Sequence, residues 1–544
     1  MKRHSWIIRL VSVVTLLGML SGGMAVAAEP TSPPTAMEMA DPVYNTIITV
    51  NSGTDPNDSK SESCATEEVC TLRRAIVQAR LATPPVLIQF DIPEDPAEGY
   101  NSALGIWEIQ VNTTDLDAFR RLTGQITIDG TTQPGGRDEG PTIFVIGPGT
   151  GQKTGFVVGD IAGEDEIIIR GLGLQNFATH MYINTNSNLI EDCWFGLSTD
   201  GMNLTSGNIN EPEGGTAIAL MSSADNNVIH NNRFAGFFGA SVAIRGNDNV
   251  FTANWVGMRA DGIVPLPAQF QQHPCSGSTT WAGGSGVTVE GNRNQIGGPD
   301  PADGNRFAGL YLNIFGLSEQ PFAIEFKGAT NNVIVQNNII GLDGADNPIG
   351  ICGRGLKLSN GPQGTRVVDN VFVETGLSAI LMNRWDINGN TLRGNIIRRE
   401  SPWPEPQGDS TFPEDAIAYG GTVPSALQAF QPAAITGIDG VNVTGVSGTS
   451  ENAQVCAHCT IEIFLDDTDA ITEALQSLAV VTAGANGNWT ATLSAPLEAG
   501  QGLRTMSTVP DEWTIDDLAE GTTSNLSILY GGGFTIYLPL VVRH

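Results

Sequence analysis

Basic side chains are scarce in this sequence: 27 Lys and Arg stand against 58 Asp and Glu, a formal net charge of −31 over 544 residues. That deficit excludes a protein that grips nucleic acid through its phosphates, which must be neutralised rather than repelled. Charge of either sign is sparse too, at 16% of residues, while 40% are apolar. A solvated, disordered acidic chain is therefore excluded, because enough apolar surface exists to form a core. Long apolar runs are missing beyond the N-terminus, so no later segment reaches a membrane-spanning length. The histidines are His4, His180, His230, His273, His458 and His544, with no metal-ligand spacing among them. What the chain has instead is 65 Gly and abundant Asn, the composition of a turn-dense β protein. The length allows three or four domains unless one long repeat takes up most of it.

The N-terminus reads as an export signal over residues 1–28. Lys2 and Arg3 precede an apolar run from Trp6 to Leu20, and small residues end it at Ala25-Val26-Ala27-Ala28. In an exported chain seven cysteines are read first as disulfides. The expected pairs are Cys64–Cys70, Cys275–Cys352 and Cys456–Cys459, which leaves Cys193 free. Zinc on Cys456-Ala457-His458-Cys459 is the lesser alternative, since no second ligand pair lies nearby.

From Asp165 to Arg399 a three-part phrase repeats. A short apolar alternation opens it, as in Ala217-Ile218-Ala219-Leu220 and Ala323-Ile324-Glu325-Phe326. Asn with branched apolar residues follows, as in Asn227-Val228-Ile229, Asn249-Val250-Phe251 and Asn332-Val333-Ile334. The third part is the strictest, with Asn at its head: Asn232, Asn254, Asn305, Asn338, Asn370 and Asn395. Cys193-Trp194-Phe195 takes the same place one turn earlier. Three short strands per repeat describe a triangular coil, and stacked coils bury a column that no single repeat could. The six Asn are expected to form a ladder of amides at one bend, in the left-handed backbone that Asn tolerates.

This repeat resembles the right-handed parallel β-helix of the pectin-lyase-like superfamily over roughly half the chain. The implied fold is all-β, with the coils at 120–400. Ahead of it, Cys70-Thr71-Leu72-Arg73-Arg74-Ala75-Ile76 resembles the CSLREA-type domain of secreted bacterial β-helix proteins, with Arg74 where that family usually has Glu. Leu72, Ala75, Ile76 and Ala79 give it a helical apolar stripe, so residues 43–119, after a linker at 29–42, are expected to cap the solenoid. Pro-rich residues 401–434 read as a stiff linker. Residues 435–530, with Thr460-Ile461-Glu462-Ile463-Phe464 after the C-x-x-C, resemble bacterial Ig-like sandwiches. Residues 531–544 are a tail, either a sorting signal or an ordinary last strand.

The fold hosts polysaccharide lyases, hydrolases and epimerases as well as adhesins and inert spikes, so chemistry has to be sought in residues. The paired aspartates, Gly-His-Gly and Arg-x-Lys of the hydrolases of this fold do not occur in the coil region. Asp466-Asp467 falls in the Ig-like segment and reads as a solvated turn. A lyase needs a base facing a calcium held by carboxylates. The candidates are Glu290, Glu325, Lys327 and Lys357, which alternation points outward with Glu290 beside Lys327 and Glu325 beside Lys357. Their structural alternative is a cross-strand charge ladder worth under about 1 kcal/mol per pair. The outward residues of the third strand run Trp194, Arg233, Trp255, Arg306. They are the candidate binding set: indoles for sugar C–H faces, arginines for hydroxyls or carboxylates, or else a cation–π staple between coils. Long loops after the third strand, at 197–215, 258–284, 309–321 and 342–354, should stack as a rim.

The sequence thus predicts an exported, surface-associated, non-catalytic β-helix protein that binds a cell-surface or extracellular glycan. It implies no cofactor unless calcium serves a lyase, no nucleic acid and no transmembrane helix in the mature chain. The alternatives are a calcium-assisted polysaccharide lyase or other carbohydrate-active enzyme, and a structural spacer of the cell envelope.

Overall fold

The computed structural model describes residues 42–531, apart from 57–62, 66–67, 114, 150–152, 161–164, 206–214, 238, 265–283, 312–320, 385–386, 400–414, 421–422, 470 and 512–513. Residues 1–28, expected from the sequence to be an export signal, the tail beyond 531 and Cys275 lie outside the described residues. Among those described, no helix is long and apolar enough to cross a membrane.

The chain winds as a right-handed parallel β-helix with three strands per coil. Among the described residues the first sheet holds eleven strands, from Thr46–Val50 to Thr391–Arg393. The second holds nine, from Thr154–Val158 to Ile417–Tyr419, and the third eleven, from Tyr100–Asn101 to Ile396–Arg398. Strict register stacks like on like. In the second sheet Ile218, Val242, Val287, Ile324, Leu356, Ile380 and Ile417 form one inward column. None of them is more than 2% exposed, and each buried side chain of this size contributes about 1.5–3 kcal/mol. Phenylalanines stack inside as well, Phe195 on Phe234 at 4.9 Å between centroids.

The asparagine ladder runs through this interior. Each side-chain amide donates to the next Oδ1: Asn232 to Asn254 at 3.1 Å, Asn254 to Asn305 at 3.1 Å, Asn305 to Asn338 at 2.8 Å, Asn338 to Asn370 at 2.9 Å and Asn370 to Asn395 at 3.0 Å. Cys193 heads the ladder, its backbone N–H donating to Asn232 Oδ1 at 2.9 Å. The left-handed backbone, however, belongs to the residue before most ladder positions: Asp192, Asn231, Ala253, Asn337 and Asp369 have φ between 51° and 56° and Gly394 has 64°, while Gly304, before Asn305, is extended. The bend and the inward amide are divided between neighbours. A second ladder, Asn188–Asn227–Asn249–Asn294, lines the entry to the first sheet. Asn332 does not join it. Asn332 is itself left-handed at φ 54°, and fully buried Val333 precedes the strand Ile334–Gln336, whose first residue donates its N–H to Asn294 O at 3.0 Å.

Both ends of the coil are covered. At the N-terminal end, Thr46–Val50 pairs with Val86–Phe90, which pairs with Ile126–Asp129. Coiling is therefore under way well before residue 120. Helix α1 (Leu72–Ala79) lays Leu72, Ala75, Ile76 and Ala79 on the core, and Thr71 Oγ1 caps it by accepting from Arg74 N. Buried Arg73 bolts it down, with two 2.7 Å bonds to Asp55 and one of 2.6 Å to Ala118 O. Cys64–Cys70 is a disulfide.

At the other end, a three-stranded and a four-stranded antiparallel sheet share a core of Val443, Trp489, Ile461, Ile463 and Leu503. Cys456–Cys459 is a disulfide beside it, not a zinc site. Ala474 bridges Ile397, with bonds of 2.9 and 3.0 Å, and Thr523 Oγ1 accepts from Leu392 N at 3.0 Å. Phe464, Ala474, Met506 and Leu526 belong to the same buried cluster as the coil interior. The sandwich thus satisfies the last strands, whose edges would otherwise be open to other chains. Within the Pro-rich stretch, Ile417–Tyr419 extends the second sheet and α2 (Ser425–Ala429) buries Leu427 against the coil.

Candidate functional site

The third sheet's outer face is built by repetition. Trp194, Arg233, Trp255 and Arg306 pair in register on successive strands. They are not the open platform that alternation suggested, because the loops after the strands fold back over them. Two of these loops share a pattern, Gly196-Leu-Ser-Thr-Asp-Gly201 and Gly257-Met-Arg-Ala-Asp-Gly262, and a third carries the shorter Gly341-Leu-Asp-Gly344 in the same place. They stack on one another, Ala260 N donating to Gly201 O at 3.0 Å and Gly344 N to Gly262 O at 2.8 Å. Gly262 has φ +82°, and a Cβ there would stand 2.4 Å from the Trp255 ring. With Gly344 against its edge and Arg233 3.9 Å from its ring centre, Trp255 is a packing residue. Arg306 is bound at 2.7 Å to both Asp343 O and Asp346 Oδ1. Leu197, Met258, Val264, Ala308 and Tyr311 complete a small separate core beneath these loops.

Trp194 is partly covered as well, since a Cβ on Gly140 would stand 2.1 Å and one on Gly201 2.8 Å from its ring, but a cleft of about 890 Å³ opens beside it. Trp194 and Arg233 form its floor, residues 131–142 one wall, and the turn residues Asp200, Met202, Ala260 and Asp261 the other. Of the four residues expected to bind, two therefore meet in the cleft. Trp255 and Arg306 do not line it.

Electrostatics in the cleft are uneven. Arg137 lies 4.5 Å from the Trp194 ring centre and 5.2 Å from that of Phe144. Its Nη1 donates to Thr199 O, and its Nε and Nη2 are buried without a partner. Desolvation lowers its pKa to about 10, as it does for Arg233, whose Nη1 is likewise buried and unpaired. Both stay charged at neutral pH. The carboxylates stand at the surface. Asp138, Glu139, Asp192, Asp200 and Asp261 are all exposed lining residues. Each turn-tip Asp is fixed by its own loop, Asp200 Oδ1 accepting from Met202 N at 2.9 Å and Asp261 Oδ1 from Ile263 N at 3.0 Å. The Ser198 hydroxyl and nearby Arg137 help hold the Asp200 carboxyl below its ordinary value.

The lyase candidates lie elsewhere: Glu325 meets both Lys357 and Lys327, and Glu290 does not join them. Glu325 and Lys357 pair in register at 3.1 Å, but both are buried, with Lys357 Nζ 4.5 Å from the Phe322 ring centre. Glu290 pairs with Arg245 at 3.7 Å, and Lys327 turns to Glu325 at 3.5 Å. Asp466 is fully buried and bonded to Arg504, so Asp466-Asp467 is no solvated turn. Among the described residues Asp466, Asp467 and Glu473 bring carboxylate oxygens within 4.8 Å of one another, in the sandwich and far in sequence from the coil bases. Cys193 is free and buried, its thiol pushed up by desolvation. Cys352 is disulfide-bonded.

Sequence reasoning missed two groups. Asp200 and Asp261 were signalled by the recurring Gly-[Leu/Met]-x-x-Asp-Gly turn. On the first sheet's outer face Arg170, Glu191 and His230 align in register. Burial, and then Asp192, push the Glu191 carboxyl up against the opposing pull of Arg170, 3.5 Å away, and of His230.

No family model matches the sequence, and neither does any curated protein. Among solved structures the chain is similar to alginate lyase from Paenibacillus sp. str. FPU-7, with 13% identity and a TM-score of 0.41, covering 70% of this chain and 99% of that one. It is similar to the mannuronan C-5 epimerase AlgE6 A-module of Azotobacter vinelandii, at 12% identity and TM-score 0.32 over 65% and 94%. A mutant tailspike protein of E. coli bacteriophage HK620, in complex with pentasaccharide, matches at 11% identity and TM-score 0.31 over 85% and 92%.

Proposed function

We propose that this is an exported, surface-associated β-helix protein that binds an extracellular or cell-surface glycan in the Trp194 cleft without transforming it. The carrying observation is the cleft itself: a half-buried indole floor flanked by anchored carboxylates on a rigid sheet. A flat aromatic face receives sugar C–H groups, and fixed carboxylates accept from hydroxyls. Rigidity matters because groups already in place cost less to order on binding. The Glu325–Lys357 pair, being buried, speaks for scaffold rather than lyase chemistry. The signal segment and the disulfides support export.

A second reading, glycan hydrolysis, is favoured by Glu191 standing in register between Arg170 and His230 with its carboxyl pushed up by burial, the direction a general acid needs. The test is a glycan array probed with the full mature chain, followed by product analysis of every glycan retained. Retention with no new reducing or unsaturated ends supports the binding module. Turnover that Glu191→Gln abolishes would replace it with the enzyme, and retention of nothing would favour the spacer.

A further inference from the structure

We infer that the cleft recognises a glycan by a single carboxylated sugar set among uncharged ones, with Arg233 as the specificity-determining residue. This inference rests on the cleft being a glycan site. Among the described residues Arg233 makes no hydrogen bond. Its guanidinium lies over Trp255, Nη1 is buried without a partner, and Nε and Nη2 are left unbonded at the cleft floor. Arg306, two strands on in the same column, is closed by 2.7 Å bonds to Asp343 O and Asp346 Oδ1 of a returning turn. Arg233 has no counterpart to that turn among the described residues. Its strand, Arg233–Phe234, reaches Val242–Ile244 through residues 235–241 alone, whereas residues 196–215 follow Trp194–Phe195. Asp192 acts on Arg233 through space but accepts from Asn231 Nδ2 at 2.6 Å.

The free edge fits a carboxylate. Nε and Nη2 point the same way, and their spacing matches the two oxygens of that group. Elsewhere in this chain the same edge is filled in this manner. Arg73 holds Asp55 through both nitrogens at 2.7 Å, and Arg293 holds Asp248 at 2.8 and 2.6 Å. At Arg233 the carboxylate has to come from the ligand. Trp194 is its neighbour in register, so the sugar ring bearing that carboxylate meets the indole one strand away, at about 4.8 Å. Arg137, 4.5 Å from the same ring centre and with Nε and Nη2 also lacking acceptors, adds a second positive charge. Further acids are not provided for. Among the described residues two guanidiniums line the cleft against five carboxylates, Asp138, Glu139, Asp192, Asp200 and Asp261. A run of acidic sugars would bring more negative charge against them, whereas uncharged neighbours can donate hydroxyls to them.

The test compares each acidic glycan with its own carboxyl-reduced form, in which the carboxylate has become a primary alcohol on an unchanged backbone. The full mature chain is applied to an array of both forms, with homopolymeric uronates and singly sulfated oligosaccharides beside them. Glycans with one isolated uronate should be held at least about tenfold more tightly than their reduced forms, and homopolymeric uronates should not be held. A chain of net charge −31 repels acids, so overall charge cannot produce this preference. Arg233→Gln should erase it. Arg233→Lys, which keeps the charge and most of the packing stem but not the paired donors, should lose most of it and guards against a Gln variant that fails to fold. Equal retention of acidic and reduced forms, or an unchanged preference in either folded variant, would overturn the inference and leave the glycan site standing. Stronger retention of the sulfated or homopolymeric ligands would do the same. Retention of nothing would remove both.

Discussion

Replacing Glu462 by Gln should stabilise the protein at pH 8 and leave it nearly unchanged at about pH 4. Glu462 sits on the strand Thr460–Asp467, is 2% exposed, and accepts from Gly394 N at 2.9 Å where the sandwich meets the last coil. Its Oε2 is buried without a partner. Desolvation, opposed by the Gly394 bond and Arg393 and reinforced by Asp369, raises its pKa to about 7. A carboxyl that ionises near 4.5 unfolded and near 7 folded binds more protons in the native state, so native stability falls as pH rises through that window. At about 1.4 kcal/mol per pH unit the full loss approaches roughly 3 kcal/mol, an upper bound because water entering the junction would shield the charge. Gln keeps the bond to Gly394 and cannot ionise. Melting temperatures of both proteins should nearly coincide at about pH 4 and separate in favour of the variant by pH 8. Glu473, also raised to about 7 by burial and by Asp466, Asp467 and Asp469, titrates in both, so some pH dependence survives in the variant. A pH-independent difference, or a variant less stable at pH 8, would refute this account of the junction.

Asn305→Ala leaves Asn254 N and Asn254 Nδ2 short of an acceptor in the interior and should cost about 1–3 kcal/mol, read as a lower denaturant midpoint; an unchanged midpoint would mean the ladder is dispensable. Trp255→Ala should lower stability by about 2 kcal/mol while glycan retention persists, whereas Trp194→Ala should abolish retention, since of the two only Trp194 lines the cleft. Non-reducing mass mapping should recover Cys64–Cys70, Cys456–Cys459 and the expected Cys275–Cys352, with Cys193 unlabelled by a bulky thiol reagent until the chain is unfolded.

The coil was legible because its constraint repeats: one inward Asn at the head of each third strand is costly to misplace, and six in a row admit one register. Its ends were less legible. Thr46–Val50 and the coil-facing residues of the sandwich carry no repeat phrase, since a cap meets the coil once and copies nothing. Alternation correctly placed Trp194, Arg233, Trp255 and Arg306 on the outer face, but it cannot report what lies above a face. Loops that return onto the sheet turned Trp255 into packing and cover part of Trp194, beside which a cleft remains. The Glu325–Lys357 column fails as an exposed site for the same reason. Asp200 and Asp261 were readable in principle from the repeated turn, but that motif lies in the loops, where repeats are sought last.

The central claim, that the cleft beside Trp194 is where a glycan is held, is tested most directly by hydrogen–deuterium exchange of the mature chain with and without a retained oligosaccharide. Protection should concentrate in residues 131–142, 196–205 and 258–264, with the second sheet and the sandwich unchanged. Protection falling instead on the sandwich or the second sheet, with these three segments exchanging as before, would contradict the account.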